Sequence, residues 1–331
     1  MLTKIKSREL KVGMYVVLEQ GWLKHPFLKN SFLIHSEKQL RKFIEYGIDE
    51  VEIDPSRSQA SMDVQTITHP GAAAGPTEPW DTNRGITNAL KDAIEDKTMP
   101  PEKKAVTVYE HSHQLMIKLF AEPTAAAIGA SKEAIGNLAD LIIADDETAL
   151  NLLKITSHDF YTYTHSVNVG VLGISLAKRL YGKSNDHDMR ELGAGFFLHD
   201  LGKVRVDSAI LNKPSRLDDG EMNKMRIHPY QSFRILEASS HLSLECRVIA
   251  MQHHEREDGT GYPRRLKGNE IHDYARICCI ADIFDALTAE RSYKKALTPF
   301  QALQIMKEQL LGHFHKEIFT NFVLLFGEEK G

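Results

Sequence analysis

Half of the sixteen histidines in this chain fall between His158 and His254. The sharpest signal among them is the pair His199-Asp200, in the run Phe196-Phe197-Leu198-His199-Asp200-Leu201-Gly202-Lys203. An apolar run that leads straight into a His-Asp pair places the pair at the end of a buried helix. Successive side chains on a helix diverge by about 100°, so such a pair can chelate one metal ion or touch two. A carboxylate is the better bridge, because each oxygen can bind one ion, and imidazole suits Fe, Mn, Ni or Zn. His228, the pair His253-His254, His165 and Asp282 each sit in or beside an apolar helical segment. Taken singly, each has an ordinary reading: a histidine hydrogen-bonded within a core, or a carboxylate paired to an arginine. Charged groups are rarely buried unpaired, and this many in one helical region point to a shared metal centre.

Polar residues that suit a phosphate lie close by in sequence. Lys203 follows His199 by one helical turn. Arg291 and Lys294, in Arg291-Ser292-Tyr293-Lys294-Lys295, read alone as a solvated basic helix end, but beside a dimetal site they are natural phosphate clamps. Directly after the His pair comes His254-Glu255-Arg256-Glu257-Asp258-Gly259-Thr260-Gly261-Tyr262-Pro263, whose Gly, Asp and Pro content allows only turns. It reads as a surface loop at the rim of the site, with Tyr262 held between Gly261 and Pro263 and able to stack on a base.

The elements that must position these residues are mostly helices. The spacing predicts helices over 103–120, 131–144 with Ser131 as N-cap, from about 148 to 153, over 165–180, 188–199, 218–238, 243–254, 273–290 and 299–311, with Pro100-Pro101 as a break. Before them, residues 1–56 read as a small β-rich domain: strands at 10–18, broken by Gly13, at 32–34 and at 51–53, and a helix over 36–46 that ends at Gly47. Trp22, Phe27 and Phe32 read as its small core, or else as a partner-binding face. Residues 57–85, rich in Ser, Ala, Gly, Pro and Thr, read as a flexible linker. The expected organisation is α+β overall: the small domain at 1–56, the linker at 57–85, a helical connecting segment at 86–145 and an all-α catalytic domain at 146–331.

Composition narrows the classes. The chain has 331 residues, 42% hydrophobic and 26% charged, which is ordinary for a globular protein of about two domains. A net charge of −4 argues against binding duplex DNA or RNA through bulk positive charge. Three cysteines, two of them adjacent, are no disulfide framework and suit a reducing compartment. With no long apolar run and no signal-like start, the expected location is the cytoplasm.

Together these segments resemble the HD-GYP family, a bacterial branch of the HD superfamily of metal-dependent phosphohydrolases. The resemblance covers about residues 150–310 and rests on His199-Asp200, Gly261-Tyr262-Pro263 and the segments HDLGK, HHE, DGTGYP and ADIFDALT. Residues 1–55 are similar to a domain of unknown function often found ahead of HD-GYP domains, through LKVGMYV, Trp22 with His25–Phe27, and VEIDP. The family pattern implies metal ligands at His165, His199, Asp200, His228, His253, His254 and Asp282, with Asp200 bridging two divalent ions (Fe, Mn or Ni). It implies catalytic roles for Asp200 and Lys203, phosphate contacts for Lys203, Arg291 and Lys294, and substrate contact for Gly261 and Tyr262. The activity it implies is hydrolysis of cyclic di-GMP to linear pGpG, in some members on to GMP, by a metal-activated bridging hydroxide; some members act on cyclic GMP-AMP.

One position departs from the pattern. Members with three metals carry a Glu four residues before the first histidine ligand, where this chain has Tyr161. Phenol is a poor ligand at neutral pH, so two metals and pGpG are expected, with Asp159 at most an indirect contributor. Two other readings compete: a different HD phosphohydrolase, acting on nucleotides or guanosine tetraphosphate, which the Gly-Tyr-Pro loop argues against; and a catalytically silent sensor, which the full ligand set argues against. A signalling protein or a second copy of the chain is the expected partner.

Overall fold

The structure, a computed structural model, describes residues 2–18, 31–34, 40–41, 43–44, 48–58, 82–156, 162–182, 184–211, 213, 215–289 and 296–327. The chain divides into two compact units, Met1–Asp81 and Thr82–Gly331.

The first unit is a four-stranded antiparallel sheet in the order β1-β4-β2-β3, with β1 Thr3–Lys6, β2 Tyr15–Val17, β3 Ser31–Leu33 and β4 Glu50–Ile53. Val16 faces inward while Tyr15 and Val17 are half-buried, the alternation of a one-sided sheet. Val16 packs with Leu10, Leu18, Ile34, Phe43, Ile48, Val51 and Ile53. The expected strand at 10–18 is only three residues long, because Gly13 takes a positive φ of 93° and turns the chain before Tyr15. β1 carried no clear alternation and was not expected. Of the expected helix at 36–46, residues 40–41 and 43–44 are described and helical. Trp22 and Phe27 lie outside the described residues, as does the Phe32 side chain.

From Thr82 on, the described residues contain helices and turns but no strand. The longer helices are α1 Thr82–Glu95, α2 Pro101–Ala121, α3 Ala125–Ala144, α4 Asp146–Ile155, α5 Thr162–Tyr181 and α6 Met189–Leu198. After the short α7 Ser208–Leu211 come α8 Asp219–Met225, α9 His228–Ser239, α10 Leu244–Gln252, α11 Asp273–Thr288, α12 Pro299–Gln309 and α13 Lys316–Leu324. Much of the expected linker, 59–81, lies outside the described residues, and α1 begins at Thr82 rather than after 85. Pro100 ends one connection and Pro101 opens α2, where its missing N–H costs nothing.

Two expected helices differ by more than about three residues at an end or are divided. Ser131 is buried inside α3, which is capped by Thr124 accepting from the Ala127 N–H at 3.2 Å. The Ala run at 125–127 extends the helix back to that cap. The expected helix 218–238 is two helices, because Pro229 cannot continue α8 and instead serves the first turn of α9. α7 and α13 were not anticipated.

α5 is the central helix. From Tyr163 to Ala177 every residue is buried, the mark of a helix enclosed on all sides. It packs against α6, α11 and α2, and one core runs from Leu90 in α1 to Phe322 in α13. Cys246, Cys278 and Cys279 are buried in that core as free thiols. No helix among the described residues is long and apolar enough to cross a membrane.

Candidate metal centre

Helix ends deliver most of the site. His199 is the C-cap of α6, and Asp200, at φ −99° and ψ 5°, turns the chain into a short 3-10 turn over Leu201–Arg205. His228 opens α9, His253 is the C-cap of α10 with His254 next to it, and His165 and Asp282 come from α5 and α11. Three of the histidines use the helix end in the same way. His199 Nδ1 donates to the Phe196 carbonyl at 2.7 Å, His228 Nδ1 to Met225 at 2.8 Å and His253 Nδ1 to Ala250 at 2.9 Å. His165 Nδ1 donates instead to Asp285 Oδ2 at 2.7 Å. A carbonyl or carboxylate oxygen can only accept, so the proton is on Nδ1 and each Nε2 is left to face inward.

Those inward atoms surround Asp200, which is 1% exposed. Its Oδ1 lies 3.1 Å from His228 Nε2 and 3.7 Å from His253 Nε2. Its Oδ2 lies 3.4 Å from His165 Nε2 and 3.5 Å from His199 Nε2, and also meets Lys203 Nζ. The donors thus form two lobes, His228 with His253 and His254, and His165 with His199 and Asp282, each with its ligand atoms within 4.8 Å of one another. The two oxygens of Asp200 face one lobe each.

This arrangement fits divalent metal. His228 Nε2 stands 3.2 Å from His254 Nε2 and 3.3 Å from His253 Nε2. Nitrogen lone pairs at that range repel unless a cation or proton lies between them. His199 Nε2 and Asp200 Oδ1 are buried without a hydrogen-bond partner, which is costly for a polar atom. Mixed imidazole and carboxylate donors suit Fe, Mn, Ni or Zn.

Three of the histidines are held neutral, as ligation requires, and one is not. Burial pushes His199 down to about 4 and also lowers His253 and His254. Burial works the same way on His165, but hydrogen bonding to Asp200, Asp282 and Asp285 outweighs it and raises this histidine well above its ordinary value. Burial also opposes ionisation of Asp200, yet Lys203, His199 and the adjacent His165 and His228 hold its carboxyl well below the usual range. Asp282 is likewise low, burial being outweighed chiefly by the His165 hydrogen bond and the His254 and His165 charges.

The rim loop is fastened to the ligand pair. Glu255, 2% exposed, accepts from the Arg264 N–H at 2.7 Å and the Leu266 N–H at 3.0 Å, and the Tyr262 N–H donates to the His254 carbonyl at 3.1 Å. Gly261 is buried against the same strand of chain, where a Cβ would sit 2.5 Å from the His254 carbonyl oxygen. The Tyr262 ring lies 4.6 Å from the His254 ring at 32°, with the Arg226 guanidinium 5.5 Å from its centroid. Burial and the charges of Asp282 and Asp200 raise the Tyr262 phenol, so it stays protonated. Gly202 serves a second close approach: its N–H donates to Ser232 Oγ at 2.7 Å, and a Cβ would lie 2.2 Å from the His228 carbonyl oxygen. Arg291, Lys294, Tyr161 and Asp159 lie outside the described residues.

Comparison with known proteins bears on this geometry. Residues 151–318 match the HD domain family, and residues 2–127 match a domain of unknown function, DUF3391. The cyclic di-GMP phosphodiesterase PA4108 of Pseudomonas aeruginosa is 31% identical over 99% of this chain and 77% of its own length. This chain belongs to the HD domain family. It carries both motifs that name the HD-GYP branch, His199-Asp200 and Gly261-Tyr262-Pro263. The 3'3'-cGAMP-specific phosphodiesterase 3 of Vibrio cholerae is 42% identical over 48% of this chain, which spans 34% of that relative. Among solved structures, Bd1817, an HDG"Y"P protein from Bdellovibrio bacteriovorus, shares the fold with a TM-score of 0.64 at 15% identity, covering 99% of this chain and 100% of its own.

Sequence reasoning assigned no role to Asp285, Asn168 or Glu255 in this HD domain. The spacing of Asp285 from Asp282 was a usable signal, since residues three apart share a helix face. Glu255 had none beyond its place beside the His pair.

Three outcomes are expected. Asp200→Ala lowers bound divalent metal at both lobes and His254→Ala at one, read by metal analysis of anaerobically purified protein; an unchanged metal content in Asp200→Ala would refute the shared role. Gly202→Ala costs about 1–3 kcal/mol of stability, seen in denaturant unfolding, and its metal content falls because His228 is pushed away. The thermal midpoint of metal-free protein falls as pH drops from about 6.5 towards about 4. In that window the unfolded histidines take up protons that His199, His253 and His254 refuse when folded. His165 acts in the opposite sense, its contribution being present at low pH and lost as pH rises through its raised folded value. A flat midpoint across the window would mean the three are not held neutral.

Proposed function

We propose that this protein is a two-metal phosphodiesterase that opens cyclic di-GMP to linear pGpG in bacterial second-messenger signalling. The observation that carries this reading is Asp200, whose two oxygens face two separate histidine lobes. Two divalent ions (Fe, Mn or Ni) are assigned to those lobes, with ligands His165, His199, Asp200, His228, His253, His254 and Asp282. Bound there, they supply Lewis acidity to a water nucleophile and to the phosphate oxygens.

The chain's own residues do the rest. The neutral imidazoles of His199, His253 and His254 leave Nε2 lone pairs for ligation, and the ionised Asp200 spans both lobes. Lys203 Nζ neutralises Asp200 Oδ2 and places a positive charge where the phosphoryl group gains negative charge. The rim loop presents Tyr262 as a flat face for a guanine base, and Arg291 and Lys294 are assigned to the second phosphate, whose anchoring positions the first. Tyr161, in place of a carboxylate ligand, supports two metals and pGpG as end product. We assign the protein to the cytoplasm, with residues 146–331 as the catalytic domain, 1–56 as a separate β-rich domain and a signalling protein or second copy as partner.

A second substrate has support of its own. The 3'3'-cGAMP-specific phosphodiesterase 3 of Vibrio cholerae is 42% identical over 48% of this chain, so 3'3'-cyclic GMP-AMP is the alternative ring. The test is incubation of metal-loaded protein with each dinucleotide and chromatography of the products. Accumulating linear dinucleotide, with the rate lowered at least 100-fold by Asp200→Ala and Tyr262→Ala raising KM more than it lowers kcat, is the expected result. Binding without turnover of either ring would make the protein a sensor instead.

A further inference from the structure

One turn of α2 faces the start of α5 on both sides of His165. Tyr109 and His113 are four residues apart on α2; Thr164 and Asn168 are four apart on α5 and flank His165 in sequence. The Tyr109 hydroxyl donates to Asn168 Oδ1 at 2.6 Å, and His113 Nε2 pairs with Thr164 Oγ1 at 2.9 Å. Beyond Asn168 the connection continues inward. Its Nδ2 donates to Asp285 Oδ1 at 2.6 Å, and Asp285 Oδ2 accepts from His165 Nδ1 at 2.7 Å. Thr164, Asn168 and Asp285 are all buried, so none of these groups can trade its partner for water without cost.

The polarity of this chain is fixed from its outer end. A phenol O–H that donates to Asn168 makes that amide oxygen an acceptor and turns the amide N–H to Asp285. The carboxylate then accepts from both sides, which holds a proton of His165 on Nδ1 and leaves Nε2 as the atom turned to Asp200 and Asp282. Without the hydroxyl, Asn168 Oδ1 is buried and unpaired, and the amide gains by turning that oxygen elsewhere, which removes a donor from Asp285.

We propose that Tyr109 and His113 are positioning residues: α2, which lies ahead of the residues matched to the HD domain, sets the ring orientation of His165 and thereby the divalent-metal affinity of the lobe formed by His165, His199 and Asp282. This rests on the metal reading above. It makes loading of that lobe sensitive to displacement of α2, while the lobe of His228, His253 and His254 has no part in the connection.

The test is Mn²⁺ titration of metal-free protein by calorimetry, wild type beside Tyr109→Phe. The wild type should show two sites. Tyr109→Phe should weaken one about 10-fold, the usual effect of removing an outer partner of a ligand, leave the other unchanged, and alter the midpoint of metal-free unfolding little. His113→Leu should act on the same site, with His113→Gln, which keeps a group able to pair with Thr164, restoring it; this pair carries the test if Tyr109→Phe does not fold. Two wild-type sites that Tyr109→Phe leaves unchanged, or weakens equally, would overturn the proposal alone. A wild type that binds no Mn²⁺ would overturn the metal reading and the proposal with it.

Discussion

A carboxylate removed from water must be surrounded by charge or donors, and the helical domain is arranged around that requirement at Asp200. The residue is 1% exposed, and four imidazoles and one ammonium converge on its two oxygens. They arrive from α5, α6, α9 and α10, which are separated by up to some ninety residues of chain. No single helix has a stabilising reason to place a histidine there. The shared carboxylate supplies the reason for all of them, and Lys203, one turn further on, meets Oδ2 as well.

The backbone makes this convergence affordable. The last carbonyls of a helix lack intrahelical partners, and His199 and His253, at or just beyond helix ends, satisfy one carbonyl each through Nδ1. His228 does the same for the end of α8 while opening α9. The same hydrogen bond fixes the tautomer, so an element that would otherwise leave an orphan acceptor instead aims a lone pair into the site. His165 lies in the first turn of α5, where N–H groups and not carbonyls lack helical partners, and it relies on Asp285 and the polar side chains behind it.

Much of this was legible in the sequence because the informative residues break a strong apolar pattern. The run from Phe196 to Leu198 ending in His199-Asp200 announced a buried polar pair at a helix end, and α6 ends at Leu198. The interruption of the 218–238 region was also written there, in Pro229, but the polar periodicity on either side masked it. The Thr124 cap was hidden by alanines, which fit a helix or its approach equally well. β1, with its Thr-Lys-Ile-Lys sequence, lacks the apolar alternation of a strand that buries one face. The supporting groups were the hardest to see. Asp285, Asn168 and Tyr109 are ordinary helix residues whose importance arises only from which helices touch, and periodicity carries no information about that.

Glu255 ties the loop bearing Tyr262 to the residue next to His254 through two backbone N–H groups. The flat face of the tyrosine and the imidazole beneath it are therefore held by the same stretch of backbone. Such a fixture acts as a gauge: the separation between whatever rests on the ring and whatever lies among the histidines is set by the protein, not by the ligand. A molecule whose flat end and charged centre are spaced differently gains from one contact only by giving up the other.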